Sequence, residues 1–68
     1  MIDVKTMGHN IKELRLKKGK TIAEVSKETG IGETALRNYE CGLRMPRYKA
    51  MFRLAAYFDK RVDDIFFA

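Results

Sequence analysis

Apolar side chains recur at steps of three and four residues along much of the chain, and this spacing predicts amphipathic helices. Met7, Ile11 and Leu14 share one helical face, which predicts a first helix over residues 7–18. Residues 1–6 show no such period and are expected to form a flexible N-terminal arm. A single folded domain is therefore expected from residue 7 to residue 68.

A second helix is predicted from Thr21 to about Thr29, because both of its ends carry clear signals. Thr21 and Glu24 are spaced for a capping box, in which each side chain accepts a hydrogen bond from the other residue's backbone amide. Gly30 is typical of the left-handed residue that follows a helix C-terminus. The helix is thus expected to end just before Gly30.

A third helix is expected over residues 33–41, after a short turn that contains Gly30 and Gly32. Two helices joined in this way form a helix-turn-helix, whose second helix enters the DNA major groove. Leu36 and Tyr39 belong to the inner face of this third helix, whereas its opposite face is polar. A polar face that packing does not need is what groove binding requires.

The remaining residues predict two more helices, with Pro46 in the first turn of the fourth. The widest apolar face of the chain belongs to this fourth helix and consists of Tyr48, Met51, Phe52, Ala55 and Phe58. A last short helix contains Val62, Ile65 and Phe66. The sequence has no strand pattern, so the expected fold is all-α, a compact domain of five helices.

Charge supplies the first indication of a partner. Fourteen Lys and Arg residues against nine Asp and Glu residues give the 68-residue chain a net charge of +5. One basic cluster lies within residues 12–20 and a second within residues 37–53. A small basic domain is a candidate for binding nucleic acid or an anionic membrane surface. The sequence has neither an apolar run long enough to span a membrane nor a secretion signal, so no membrane association is expected.

Several other functions are excluded by what the sequence lacks. Cys41 is the only cysteine, which excludes an intramolecular disulfide and a cysteine-rich zinc site, and His9 has no partner for binding a metal. No nucleophile–base pair, phosphate-binding loop or metal cluster indicates an enzyme. We therefore expect no catalysis, no cofactor and no small-molecule ligand.

Four motifs follow one another in a fixed order: Leu14-Arg15, the Gly30-Ile31 turn, Tyr39-Glu40-Cys41-Gly42, and Pro46. Together they resemble the Cro-repressor (Xre) family of helix-turn-helix proteins, over about residues 8–67. The resemblance implies a lambda-repressor-like domain that binds double-stranded DNA sequence-specifically. It further implies a transcriptional regulator, most often a repressor, that acts as a homodimer on a two-fold operator in the cytoplasm of a bacterium or phage host.

The same resemblance implies a partly buried ion pair between Arg15 and Glu40. Its role would be to fix the recognition helix rather than to contact bases. The alternative is that Arg15 is one more cation facing the phosphates.

Base contacts in the family come from the start of the recognition helix. The matching positions in this chain that we expect to contact bases are Glu33, Thr34, Arg37 and Asn38. Arg and Asn make bidentate contacts to guanine and adenine, and Glu accepts a hydrogen bond from cytosine. An equally weighted alternative for Glu33 is an ion pair with Arg37, one helical turn along.

Contacts to the DNA backbone are expected at eight positions: Lys17, Lys20, Thr21, Ile22, Cys41, Arg44, Arg47 and Lys49. Ile22 stands where the family commonly has Gln, so only its backbone amide is expected to meet a phosphate. The alternative for the cations is a solvated surface. For Cys41, a small tolerated residue is favoured over a redox switch.

A different class of function remains open. The chain could be a protein-interaction module or an antitoxin component that keeps the fold and binds DNA weakly or only with a partner. Glu33 and Ile22 are the residues that favour this alternative. A steep salt dependence of duplex binding would argue against it.

Overall fold

The computed structural model describes residues 3–67, and five helices account for most of them. They are α1 (Val4–Lys17), α2 (Ile22–Thr29), α3 (Glu33–Glu40), α4 (Tyr48–Tyr57) and α5 (Asp63–Phe67), the last a short π-helical segment. No strand occurs within these described residues. The molecule measures 27 × 23 × 21 Å, and the all-α prediction is confirmed.

The first helix begins earlier than the sequence pattern predicts. Asp3 caps α1, because its carboxylate accepts a hydrogen bond of 2.9 Å from the Thr6 amide and another from the Thr6 hydroxyl. The capped helix therefore starts at Val4 rather than Met7, which corrects the predicted boundary of the N-terminal arm. A cap is a single polar residue with no apolar period, so periodicity alone missed it. The rest of that arm, Met1 and Ile2, lies outside the described residues.

The second helix and the turn after it follow their local signals. The Thr21 hydroxyl oxygen accepts from the Glu24 amide at 3.1 Å, and a Glu24 carboxylate oxygen accepts from the Thr21 amide at 2.9 Å. Gly30 ends α2 with φ 78°, a left-handed conformation that costs glycine little. The capping box and the C-terminal cap are both as predicted. In the turn that follows, Ile31 is buried in the core, and α3 begins at Glu33.

One continuous core joins all five helices, and its most deeply buried side chains are Met7, Ile11, Val25, Leu36, Leu54, Ile65 and Phe66. α1 packs against α3 and α5, while α2 packs against α3 and α4. Ile65 and Phe66 of the C-terminal segment therefore close the core.

The fourth helix differs from its prediction in two ways. It begins at Tyr48, with Arg47 as its N-cap, so Pro46 lies buried in the loop before the helix rather than in its first turn. Its buried stripe is Met51, Leu54, Ala55 and Phe58, while Tyr48 and Phe52 remain 72% and 59% exposed. Each residue turns the helix by about 100°, which carries Phe52 well away from Met51. The two exposed rings stack on each other, with their centroids 6.5 Å apart.

The crossing of α1 over α3 depends on Gly8. A Cβ atom at this position would lie 2.8 Å from the Glu40 carbonyl oxygen and closer still to that of Tyr39. Both obstacles are backbone atoms of α3, so neither can swing aside as a side chain could. Glycine at position 8 therefore sets the distance between α1 and α3.

We expect Gly8→Ala to destabilise the fold by about 1–3 kcal/mol, because the two helices must move apart. Helix propensity alone predicts the opposite sign, a gain of about 0.5–1 kcal/mol. Urea denaturation followed by circular dichroism measures that sign. A variant at least as stable as the wild type would contradict the close crossing.

Candidate nucleic-acid interface

The outward face of α3 carries the residues that the sequence proposes as base contacts. Leu36 and Tyr39 are buried and hold the helix to the core, while Glu33, Thr34 and Arg37 are exposed. Asn38 is half-buried. The structure thus brings three of the four candidates fully to the surface and leaves the Asn38 side chain only partly accessible.

Glu33 and Arg37 form an ion pair, with Arg37 Nη2 3.2 Å from Glu33 Oε1. Both side chains are about half exposed. An exposed pair one helical turn apart contributes only about 0.2–0.5 kcal/mol, so DNA could displace it at little cost. The pair exists in the free chain, and base contact by either residue stays a prediction.

A second ion pair lies inside the fold, between Arg15 of α1 and Glu40 at the end of α3. Arg15 Nε and Nη2 donate to the two carboxylate oxygens of Glu40 at 2.8 and 3.1 Å, and Nη1 donates to the Lys20 carbonyl at 2.9 Å. The two side chains are only 13% and 8% exposed. The hydrogen bond to Glu40 raises the pKa of the Arg15 guanidinium, despite its partial burial. This guanidinium is therefore committed to holding α3.

A cleft of about 410 Å³ lies beside α3. Its apolar floor includes Ile31 from the turn, Tyr39 from α3 and Ala50 from α4. Its rim carries four cations: Arg44, Arg47, Lys49 and Arg53. None of the four forms an ion pair with any residue in the range 3–67. Positive charge is thus concentrated and uncompensated next to the polar face of α3.

The arrangement matches a known family. A family model described as helix-turn-helix matches residues 11–65. The chain belongs to this helix-turn-helix family. The match confirms the resemblance to Xre-type proteins, and the family is one of DNA-binding regulators rather than enzymes. No curated protein matches the chain.

The eight residues proposed to contact the DNA backbone differ in how exposed they are and in which partners they already have. Five of them are exposed: Lys17, Cys41, Arg44, Arg47 and Lys49. Cys41 is the C-cap residue of α3, and its thiol is free. Ile22 is half-buried against the core, so its side chain is committed to packing. The Thr21 hydroxyl oxygen already accepts a hydrogen bond from the Glu24 amide, which leaves its proton for donation.

Lys20 belongs to a small network with Glu28 of α2 and Tyr57 of α4. Its ammonium lies 3.2 Å from a Glu28 carboxylate oxygen, and the Tyr57 hydroxyl donates to the other oxygen of Glu28. Lys18 Nζ lies 4.9 Å from the centroid of the Tyr57 ring. Partial burial, together with the hydrogen bond to Glu28, raises the pKa of Tyr57 to about 12. A phosphate contact by Lys20 would have to compete with Glu28.

Arg53 is the functional candidate that sequence reasoning missed. It lies one helical turn after Lys49 and within the second basic cluster, so its spacing offered a signal. Its position on the cleft rim became evident only from how α4 packs beside the turn.

Two other kinds of feature are absent from the described residues, a membrane-spanning helix and a metal-binding cluster. No helix among them is both long and apolar enough to cross a membrane. The residues in the range 3–67 also contain no group of three His, Cys, Asp or Glu side chains placed to hold a metal ion.

We expect Glu40→Ala to destabilise the fold by about 3–5 kcal/mol, because it leaves the Arg15 guanidinium partly buried without its counter-charge. Glu33→Ala is the matched control, since it removes the same side chain from an exposed pair worth about 0.2–0.5 kcal/mol. Urea denaturation of the two variants makes the comparison. Equal, small effects would show that the Arg15–Glu40 pair does not hold α3.

Proposed function

We propose that this protein is a transcriptional regulator that binds double-stranded DNA sequence-specifically and represses by occupying its operator. The observation that carries the proposal is the polar face of α3, which packing leaves exposed, beside a cleft whose cations have no acidic partner within residues 3–67. An α-helix fits the width of the major groove, and unpaired cations beside it can neutralise backbone phosphates. The family match supports DNA binding in general.

Within this proposal, Arg37 and Asn38 are the principal base readers. Arg37 reaches guanine by exchanging its contact with Glu33, and Glu33 is then available to accept from a neighbouring cytosine. Thr34 contacts a thymine methyl group or a phosphate. Arg15 and Glu40 take no part in readout, because their charges satisfy each other inside the fold.

The backbone contacts in the proposal are those at exposed cations of the loop and of α4, namely Arg44, Arg47 and Lys49, together with Lys17 at the end of α1. Lys20, Thr21, Ile22 and Cys41 are secondary contacts. Of these, Ile22 offers its backbone amide alone.

A homodimer is the proposed binding form, because two half-sites about 34 Å apart raise affinity through avidity. Ile65 and Phe66 belong to the core, so the pairing surface must come from side chains that stay exposed. A two-fold operator would follow from this symmetry.

Selection of bound duplexes from a randomised pool, at near-physiological salt, tests the proposal and supplies an operator for the variants below. A two-fold motif supports a dimeric regulator, and a single half-site supports specific binding as a monomer. Absence of any enriched sequence contradicts specific recognition. It would favour the alternative of an interaction module, for which the acidic Glu33 on the α3 face is the supporting observation.

On the selected operator, we expect Arg37→Ala and Asn38→Ala to weaken binding by about 1–3 kcal/mol each and to relax specificity at one position. Lys49→Ala should instead weaken binding to all sequences alike and flatten the log–log salt slope by about one, because it removes a phosphate contact. Fluorescence anisotropy over a salt series, with operator and scrambled duplexes, separates the two patterns. Wild-type affinity and specificity in both α3 variants would contradict the assignment of base readers.

A further inference from the structure

We propose that the cleft between the α2–α3 turn and α4 is a phosphate-binding site completed by Arg53. This inference rests on the proposed function and adds to it Arg53 as a contact residue and the cleft as the position of the phosphate. The ligand chemistry is a phosphate oxyanion, held either in the backbone of a DNA strand or in a free mononucleotide.

The guanidinium of Arg53 lies close to the turn between α2 and α3. Its Nη1 lies 3.5 Å from the point where a side chain at position 30 would place its Cβ. That distance is an ordinary van der Waals separation, so the guanidinium lies close to the turn backbone. The cation therefore lies near the start of α3, although its own Cα belongs to α4.

Arg53 has no acidic partner among the described residues, whereas three other arginines form ion pairs. Arg15 is paired with Glu40, Arg37 with Glu33 and Arg61 with Asp64. Arg53 has no acidic partner within the described part of the chain, and the three other rim cations of its cleft also lack one. Four like charges around one cleft repel each other, and an anion between them relieves that repulsion.

The size and lining of the cleft fit a phosphate group that is attached to a sugar. At about 410 Å³ it has the size of a small-ligand site, and its floor of Ile31, Met45 and Ala50 is apolar. Guanidinium groups bind phosphate oxygens in bidentate fashion, and the apolar floor suits the face of a sugar. Because Tyr39 of α3 also lines the cleft, a DNA strand seated here would run beside the recognition helix.

Two substitutions at position 53 separate charge from packing. Arg53→Gln removes the charge but keeps an extended polar side chain, and Arg53→Lys keeps the charge. Arg61→Gln is the matched control, because Arg61 is also exposed, does not line the cleft, and its loss changes the net charge equally. Arg53 is exposed, so all three variants are expected to fold.

The first measurement is duplex affinity between 50 and 200 mM salt for the wild type and the three variants. Each phosphate contact contributes about −0.9 to the log–log slope, so losing one should reduce the salt-induced loss of affinity about three- to fourfold. We expect this change for Arg53→Gln and a wild-type slope for Arg53→Lys and Arg61→Gln. This result assigns the site to a DNA backbone phosphate.

The second measurement is titration of the ¹⁵N-labelled chain with adenosine monophosphate. Saturable shifts at the cleft amides that Arg53→Gln abolishes, with an unchanged duplex slope, assign the site to a free phosphate ligand. If Arg53→Gln changes neither duplex slope nor nucleotide binding, the proposed site is wrong. A wild-type chain whose duplex binding shows no salt dependence would contradict the proposed function itself, whatever the variants do.

Discussion

A partly buried ion pair between Arg15 and Glu40 joins the end of α1 to the end of α3, and the position of α3 depends on it. The helix has only eight residues, too few for stability on its own, so tertiary contacts must hold it. Leu36 and Tyr39 anchor it through the core, and Gly8 lets α1 approach its backbone. These contacts all lie on the inner side of α3 or at its C-terminal end. The outer side of α3 is therefore not needed for packing, and its side chains stay accessible.

The fold gives some of the basic residues a partner and leaves others without one among the described residues. Arg15 and Arg61 satisfy acidic partners, while Lys18 and Lys20 contribute to the network around Tyr57 and Glu28. The cations around the cleft beside α3 have no such partners among the described residues. Net charge alone could not distinguish these groups, because it counts every cation equally. The four cleft cations lie next to the polar face of α3, where the proposed function would place the phosphates that flank a bound groove.

Local signals in the sequence correctly predicted the two ends of α2, in the middle of the chain. The capping box at Thr21 and the left-handed Gly30 each depend on residues within one helical turn, so sequence spacing was sufficient. The start of α1 was missed because the Asp3 cap has no apolar period. Phe52 was placed on the buried face although the packing of α4 leaves it exposed. Arg53 was missed for a similar reason, since its approach to Gly30 depends on how distant helices pack.

Under the proposed function, DNA contacts this protein on the outer face of α3 and at the cleft beside it. Amide shifts of the ¹⁵N-labelled chain on addition of a selected duplex map that contact surface residue by residue. We expect the largest changes within residues 32–38 and 44–53, and little change within the α4–α5 loop and α5. Changes confined to α5, or to the amides of Tyr48 and Phe52 with residues 32–38 unaffected, would show that DNA binds elsewhere.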